Sequence, residues 1–279
     1  MFKLLLHELR LRRWAILGWG IGMAVFAGYI IILYPDFAEP MAALNLEEIS
    51  LYQIFGDFSE FASFTGFVSA EVLIFLPLLL AIYAIVNGTG TLAGEEDNGT
   101  LEPIMALPLP RWQLVMSKAI ALGLALLLIL LIVGLAMAVS LTTLPGDIDT
   151  GGVTSGDMIV VALAVWPLVG FFAMFSLFLG AFVPSRRIAA IIATVILVFS
   201  YFGNNLASLV DWLERIQPLL PFYYFDSANL MKDGPDTQNT LILLAAGAVS
   251  LVLALVFFQL RNVTVGAWPW QRARIPSTQ

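Results

Sequence analysis

The chain has 279 residues, of which 60% are hydrophobic and 12% charged, with a mean hydropathy of +0.92. Soluble domains carry about 25% charged residues, so this composition excludes an ordinary soluble enzyme and a disordered chain, and a net charge of −7 with only 13 Lys and Arg excludes a nucleic-acid binder. Cys is absent and His7 is the single histidine, so no catalytic residue and no metal ligand is assigned. What remains is an all-α membrane protein with one transmembrane domain over residues 1–279.

A helix needs about 20 apolar residues to cross a bilayer. Six runs qualify, at 14–34, 66–86, 119–141, 158–183, 188–206 and 240–260. They are continuous rather than alternating, which excludes a β-barrel. Ahead of the first run, Phe2, Leu5, Leu6 and Leu9 recur at helical spacing beside Lys3, His7, Arg10 and Arg13. This pattern predicts a short amphipathic helix over 2–13 lying in the membrane interface. It is read either as a charged anchor or as an elbow that docks on a partner. In the first run Gly18 and Gly22, continued by Ala24 and Gly28, form a small-residue stripe that permits close helix approach. Gly18 and Gly22 are the candidate dimer-packing positions.

The loop from Pro35 to Thr65 has acids but no Lys or Arg, and sets Leu44, Leu51, Phe55, Phe58 and Phe61 beside Glu47, Glu48, Asp57 and Glu60. A helix resting on the outer surface is expected, as a lid or as packing. Glu71 is the one ionisable residue expected within a span. A charge at that depth marks a site by default, while an acid near a helix N-terminus is also favoured by the helix dipole. Pro77 and Pro167 interrupt the second and fourth spans.

Residues 88–110 form the segment between the second and third spans. The series Gly88, Gly90 and Gly94 follows no strand and is no dinucleotide fingerprint. Lys3, Lys118 and Lys232 are the only lysines and none follows a Gly, so no phosphate-binding P-loop is present in the chain. The acids Glu95, Glu96 and Asp97 are followed by a Gly turn, a short apolar helix over 100–107 and a Pro-x-Pro-Arg break at 108–111. Beyond the fifth span, residues 205–239 hold Trp212, Leu213, Leu219, Leu220 and the Pro221 to Phe225 aromatic cluster. The stretch is too apolar for a free loop and too broken for a span. It reads equally as an interfacial belt and as short helices dipping into the outer leaflet.

Of the 13 Lys and Arg, all but Arg215 and Lys232 fall on the side of the termini. The positive-inside rule therefore predicts cytoplasmic N and C termini. The acids segregate the other way, with only Glu8, Glu95, Glu96, Asp97 and Glu102 inside. Apart from Glu71 the six runs contain no ionisable residue, which argues against an ion-coupled carrier.

The sequence Glu95-Glu96-x-x-Gly99-Thr100-Leu101-Glu102, followed by Leu107-Pro108-x-x-Arg111 and by Lys118 at the third span, resembles the signature of ABC-2-type ABC transporter permeases. The resemblance extends over the length, the six spans and the N-terminal helix. Pro103 departs from the pattern and shifts where the short helix starts. The resemblance implies a permease subunit, multi-pass in a prokaryotic inner or plasma membrane, that works with a separate ABC ATP-binding subunit. It implies that Glu95, Glu96, Gly99, Thr100, Leu101, Glu102 and Arg111 couple to that subunit. ATP and Mg would be cofactors of the partner, with no cofactor in this chain. A second permease chain, identical or different, would complete the dimer, with the first span meeting the fifth span of the other chain. An exit bordered by the 205–239 helices, with Glu71, Asn204 and Asn205 as candidate pathway residues, suits export of a hydrophobic or amphipathic substrate such as a drug, antibiotic or lipid-like molecule. The alternatives are an ATP-independent carrier or channel and a structural membrane anchor.

Overall fold

The computed structural model describes residues 2–42, 63–97, 110–146, 148–183 and 185–260, all helices and turns with no strand among them. The helix expected around Leu44 to Phe61 lies outside these residues.

Helix α1 spans Phe2–Ala42 as a single unbroken element. Residues 2–13, expected as an interfacial helix, are helical and continuous with the first span. No Pro or Gly occurs from Phe2 to Leu17, and Leu, Arg and Glu all favour helix, so nothing stops the helix at Arg13. Its inward face runs through Leu5, Glu8, Leu9, Arg12 and Ile16, while Leu6, Leu11 and Trp14 are exposed.

The second span is built from α2 (Phe64–Val68), a π-helical turn (Ser69–Leu73) and α3 (Phe75–Asp97). The Ser63 hydroxyl caps α2 by accepting from the Gly66 N–H at 3.1 Å. The π turn has a local cause. Pro77 has no N–H to offer the Leu73 carbonyl and its ring crowds that turn, so the chain widens there, with Ile74 N–H donating to Ser69 O at 3.1 Å. At its other end α3 continues past the expected limit at Val86, through all three glycines, to Asp97.

Helix α4 (Arg111–Thr142) starts ahead of the expected Ala119, directly after Pro110. The fourth span is divided into α5 (Ser155–Ala164) and α6 (Trp166–Phe182) at Val165, with Pro167 in the first turn of α6. A capping box opens α5: Thr154 Oγ1 accepts from Asp157 N–H, and the Asp157 carboxylate accepts from Thr154 N–H at 2.8 Å. Thr154→Ala is expected to lower stability by about 1 kcal/mol, read as a lower thermal midpoint in detergent; an unchanged midpoint would mean that the cap contributes nothing.

Helix α7 covers Arg186–Leu206. It is followed by a cap of short helices, including α8 (Asp211–Ile216) and α9 (Ser227–Asp233), before α10 (Thr237–Leu260). Residues 205–239, read either as an interfacial belt or as short helices dipping into the outer leaflet, fold as these elements and the 3₁₀ turns between them.

Among the described residues six stretches are long and apolar enough to cross a membrane: Lys3–Phe37, Phe64–Glu95, Arg111–Thr142, Ser155–Phe182, Arg186–Leu209 and Thr237–Leu260. Within the bundle α1 packs on α4, α6 lies between α3 and α10, and α7 leans on α3 and α6. A large apolar core joins α1, α3, α4, α6 and α7, and a smaller one around Leu92, Val115, Leu177 and Phe258 sits at the end that carries the basic residues.

Candidate functional site

At that basic end the ends of α1 and α3 and the start of α4 meet in a charged junction. Lys118 lies two turns into α4 with its side chain 1% exposed. Its ammonium donates to Glu8 Oε1 at 2.8 Å and to Glu95 Oε1 at 2.6 Å. Glu8 also pairs with Arg12 one turn further along α1. Arg12 reaches across to α3, donating to Thr91 Oγ1 at 3.1 Å, and the Thr91 hydroxyl turns back onto the Asn87 carbonyl. Two cations and two carboxylates from three helices thus form a formally neutral cluster.

Burying a lysine in an apolar bundle is costly unless its charge is met. Here the helices supply the means, because α3 and α4 both extend beyond the expected spans and carry Glu95 and Lys118 inside the protein. The helical stretches are longer than the expected spans and hold, besides Glu71, the charged residues Glu8, Arg12, Glu95 and Lys118 of this junction. Sequence reasoning placed Lys118 only as an opening residue and left out Glu8, Arg12 and Thr91. The i,i+4 spacing of Glu8 and Arg12 is the signal that pointed to them.

The glycines of α3 have a packing role. A Cβ at Gly88 would stand 2.7 Å from Ser176 Cβ and 2.9 Å from the Ala173 carbonyl oxygen of α6. Gly90 and Gly94 accommodate Arg186, whose guanidinium crosses their face and donates to Val86 O at 3.3 Å. The chain thus passes from α6 into α7 with its first arginine laid along α3.

Of the residues expected to couple to a partner, Glu95 is turned to Lys118. Arg111 begins α4 and donates to the Gln259 carbonyl near the end of α10 at 3.4 Å. Glu96 belongs to the last turn of α3. Gly99, Thr100, Leu101 and Glu102, with Pro103 and the short helix expected after them, lie outside the described residues.

At the opposite end a cleft of about 620 Å³ opens between the second span, α7 and the cap. Ile74 and Pro77 border it from the second span, and Tyr201, Asn204 and Asn205 from the last turns of α7. Phe222 and Tyr223 close the cap side. Gln217 Nε2 donates to Asn204 Oδ1 at 3.1 Å, and the Asn205 side chain bonds Tyr201. Ser69, in the π turn, donates to the Ser227 carbonyl at 3.0 Å and ties the second span to α9. The two asparagines therefore share one cleft. Glu71 sits half-buried in the adjoining π turn and does not line that cleft.

Gly18 and Gly22 are exposed, with open space where a Cβ would lie. Gly28, read as part of the same stripe, is turned inward, and its Cβ would stand 2.8 Å from Ser140 Oγ of α4. A ten-residue separation on a 3.6-residue helix rotates one position well away from the other, so the stripe divides between two faces.

Among the described residues, six membrane-length helices, a largely buried charged junction at one end and a cleft at the other describe a helical multi-pass membrane protein. The model of the ABC-2 family transporter protein matches residues 3–263, and the chain belongs to that family. It is thereby the transmembrane component of an ABC transporter, a system in which ATP is handled by an ATP-binding partner. No curated protein is matched.

Proposed function

We propose that the chain is the permease subunit of an ATP-driven exporter for a hydrophobic or amphipathic substrate. The observation that carries this is family membership across nearly the whole bundle, joined to a cleft that mixes aromatic faces with amide groups at the end away from the basic residues. Aromatic walls take an apolar body, and Asn204, Asn205 and Gln217 offer hydrogen bonds to a polar end. In this reading the termini face the cytoplasm, since the charge asymmetry follows the positive-inside rule. The membrane is a prokaryotic inner or plasma membrane. The segment from Glu95 through Gly99, Thr100, Leu101 and Glu102 to Arg111 meets an ATP-binding subunit that holds ATP and Mg. A second permease chain packs on α1 at Gly18 and Gly22, where small residues leave the helix face open. Closure of the ATP-binding subunits then shifts the bundle between inward-open and outward-open arrangements.

The test is co-expression with an ATP-binding subunit that carries a Gly-x-x-x-x-Gly-Lys-Ser/Thr loop. A stable complex, ATP hydrolysis by it, and ATP-dependent efflux of an amphipathic fluorescent dye from proteoliposomes are expected. Stable assembly with hydrolysis stimulated by hydrophilic solutes and not by the dye would overturn the substrate class. Failure to assemble would overturn the coupling.

A further inference from the structure

The charged junction and the outer cleft are joined by one element. Helix α3 runs without interruption from Phe75 to Asp97. Its far end carries Glu95, held by Lys118, and its near end carries Pro77, which borders the cleft. Directly beyond Pro77 lies the π turn at Ser69–Leu73, where the regular hydrogen-bond ladder gives way. Displacement of α3 at Glu95 is therefore delivered to the cleft wall by a rigid rod, and a π turn is a place where a helix changes geometry.

The two carboxylates that hold Lys118 differ in exposure. Glu8 is 8% exposed and is also held by Arg12. Glu95 is 25% exposed and close to the end of α3. If Glu95 swings away, Lys118 keeps Glu8, so the buried ammonium is never left without an anion. A single buried ion pair has no such second arrangement, because parting it strands a charge in the protein interior.

We propose that Lys118 is a positioning residue that couples the ATP-binding partner to the cleft. Its pair with Glu95 locks α3 in one register, and release of that pair lets α3 move the cleft wall at Ile74 and Pro77. The inference rests on the transporter reading above. It adds a named lock, a named rod and the place where the motion arrives. It also makes the amino-terminal helix and the Glu95 end of α3 a single unit, since Arg12, Glu8, Lys118 and Glu95 connect them without a break.

The experiment uses the complete complex with its ATP-binding subunit in lipid nanodiscs. The chain has no Cys, so Ser208→Cys, an exposed position lining the cleft, provides the one maleimide target in this chain, and labelling is read on the permease band alone. Labelling rates are compared without nucleotide and after trapping with ATP and orthovanadate. With the junction intact, a several-fold difference between the two states is expected. In complexes of the charge-balanced double variant Lys118→Met with Glu95→Gln that still trap nucleotide, measured as bound nucleotide per complex, the difference disappears. Should that variant fail to assemble, Glu95→Gln alone, which leaves Lys118 with Glu8, is expected to give the same loss. A nucleotide-dependent difference of unchanged size in these variants overturns the lock. An intact-junction complex with no difference at all overturns the transporter reading and the lock with it.

Discussion

Lys118→Met alone is expected to destabilise the protein by about 3–5 kcal/mol, the scale for removing one partner from a buried ion pair. Met matches much of the lysine stem, so the packing around α4 is largely kept and the charge is what changes. Glu8 retains Arg12, but Glu95 loses the ammonium that lies 2.6 Å from its Oε1. The surroundings offer little water, because Leu92, Leu114 and Val115 are buried beside the junction. Adding Glu95→Gln removes the matching negative charge and is expected to recover a large part of the loss. That recovery separates an electrostatic cause from a packing cause. The comparison is made by unfolding in detergent with increasing denaturant or temperature. A single-variant loss under about 1 kcal/mol, the scale of an exposed pair, would show that Lys118 is solvated in the folded protein.

The junction also explains which parts of the molecule were legible in the sequence. Composition and run length identify six membrane helices because a bilayer demands continuous apolar length, and that demand is local. The extensions of those helices are set differently. Gly88, Gly90 and Gly94 read as part of the segment between two spans, yet they lie in α3, where Ser176 and Arg186 occupy the space that side chains would otherwise fill. Lys118 and Glu8 are 110 positions apart, so neither announces the other. Their pairing follows from the packing of α1 on α4, which no periodicity encodes. The inward face of residues 2–13 was hidden for a related reason. Its wheel was drawn from Phe2, Leu5, Leu6 and Leu9, whereas the charged pair Glu8 and Arg12 faces inward and Leu6 is exposed. By contrast Asn204 and Asn205, which line the cleft, stand out because an amide pair at the end of an apolar span is conspicuous in the sequence itself. Pro77 was equally legible, although the widened turn that it produces lies in the residues before it, as its missing N–H and its ring require.

Gly88→Val is expected to cost more than about 3 kcal/mol, at or above the upper end of ordinary overpacking. The contacts at this position are with the body of the neighbouring helix. Even a first carbon would stand 2.7 Å from Ser176 Cβ, 2.9 Å from Ala173 O and 3.3 Å from Leu177 N. Two of these are backbone atoms of α6, so no rotamer change relieves them, and α3 and α6 must separate along a buried seam. Separation would also expose Thr89, Leu177 and Ala181, all fully or almost fully buried. Gly18→Val is the matched control, since a Cβ there meets nothing within 4 Å in the protomer. Its effect on the folding of a single chain is expected to be small, and a helix-propensity difference of a few tenths of a kcal/mol sets the scale. If α1 packs against a second permease chain as proposed, Gly18→Val weakens dimer assembly while leaving protomer stability near its starting value. Thermal midpoint and oligomer mass, measured on the same preparations, separate the two effects. Equal midpoints for Gly88→Val and Gly18→Val would contradict the close approach of α3 and α6. An unchanged dimer in Gly18→Val would remove α1 from the dimer interface.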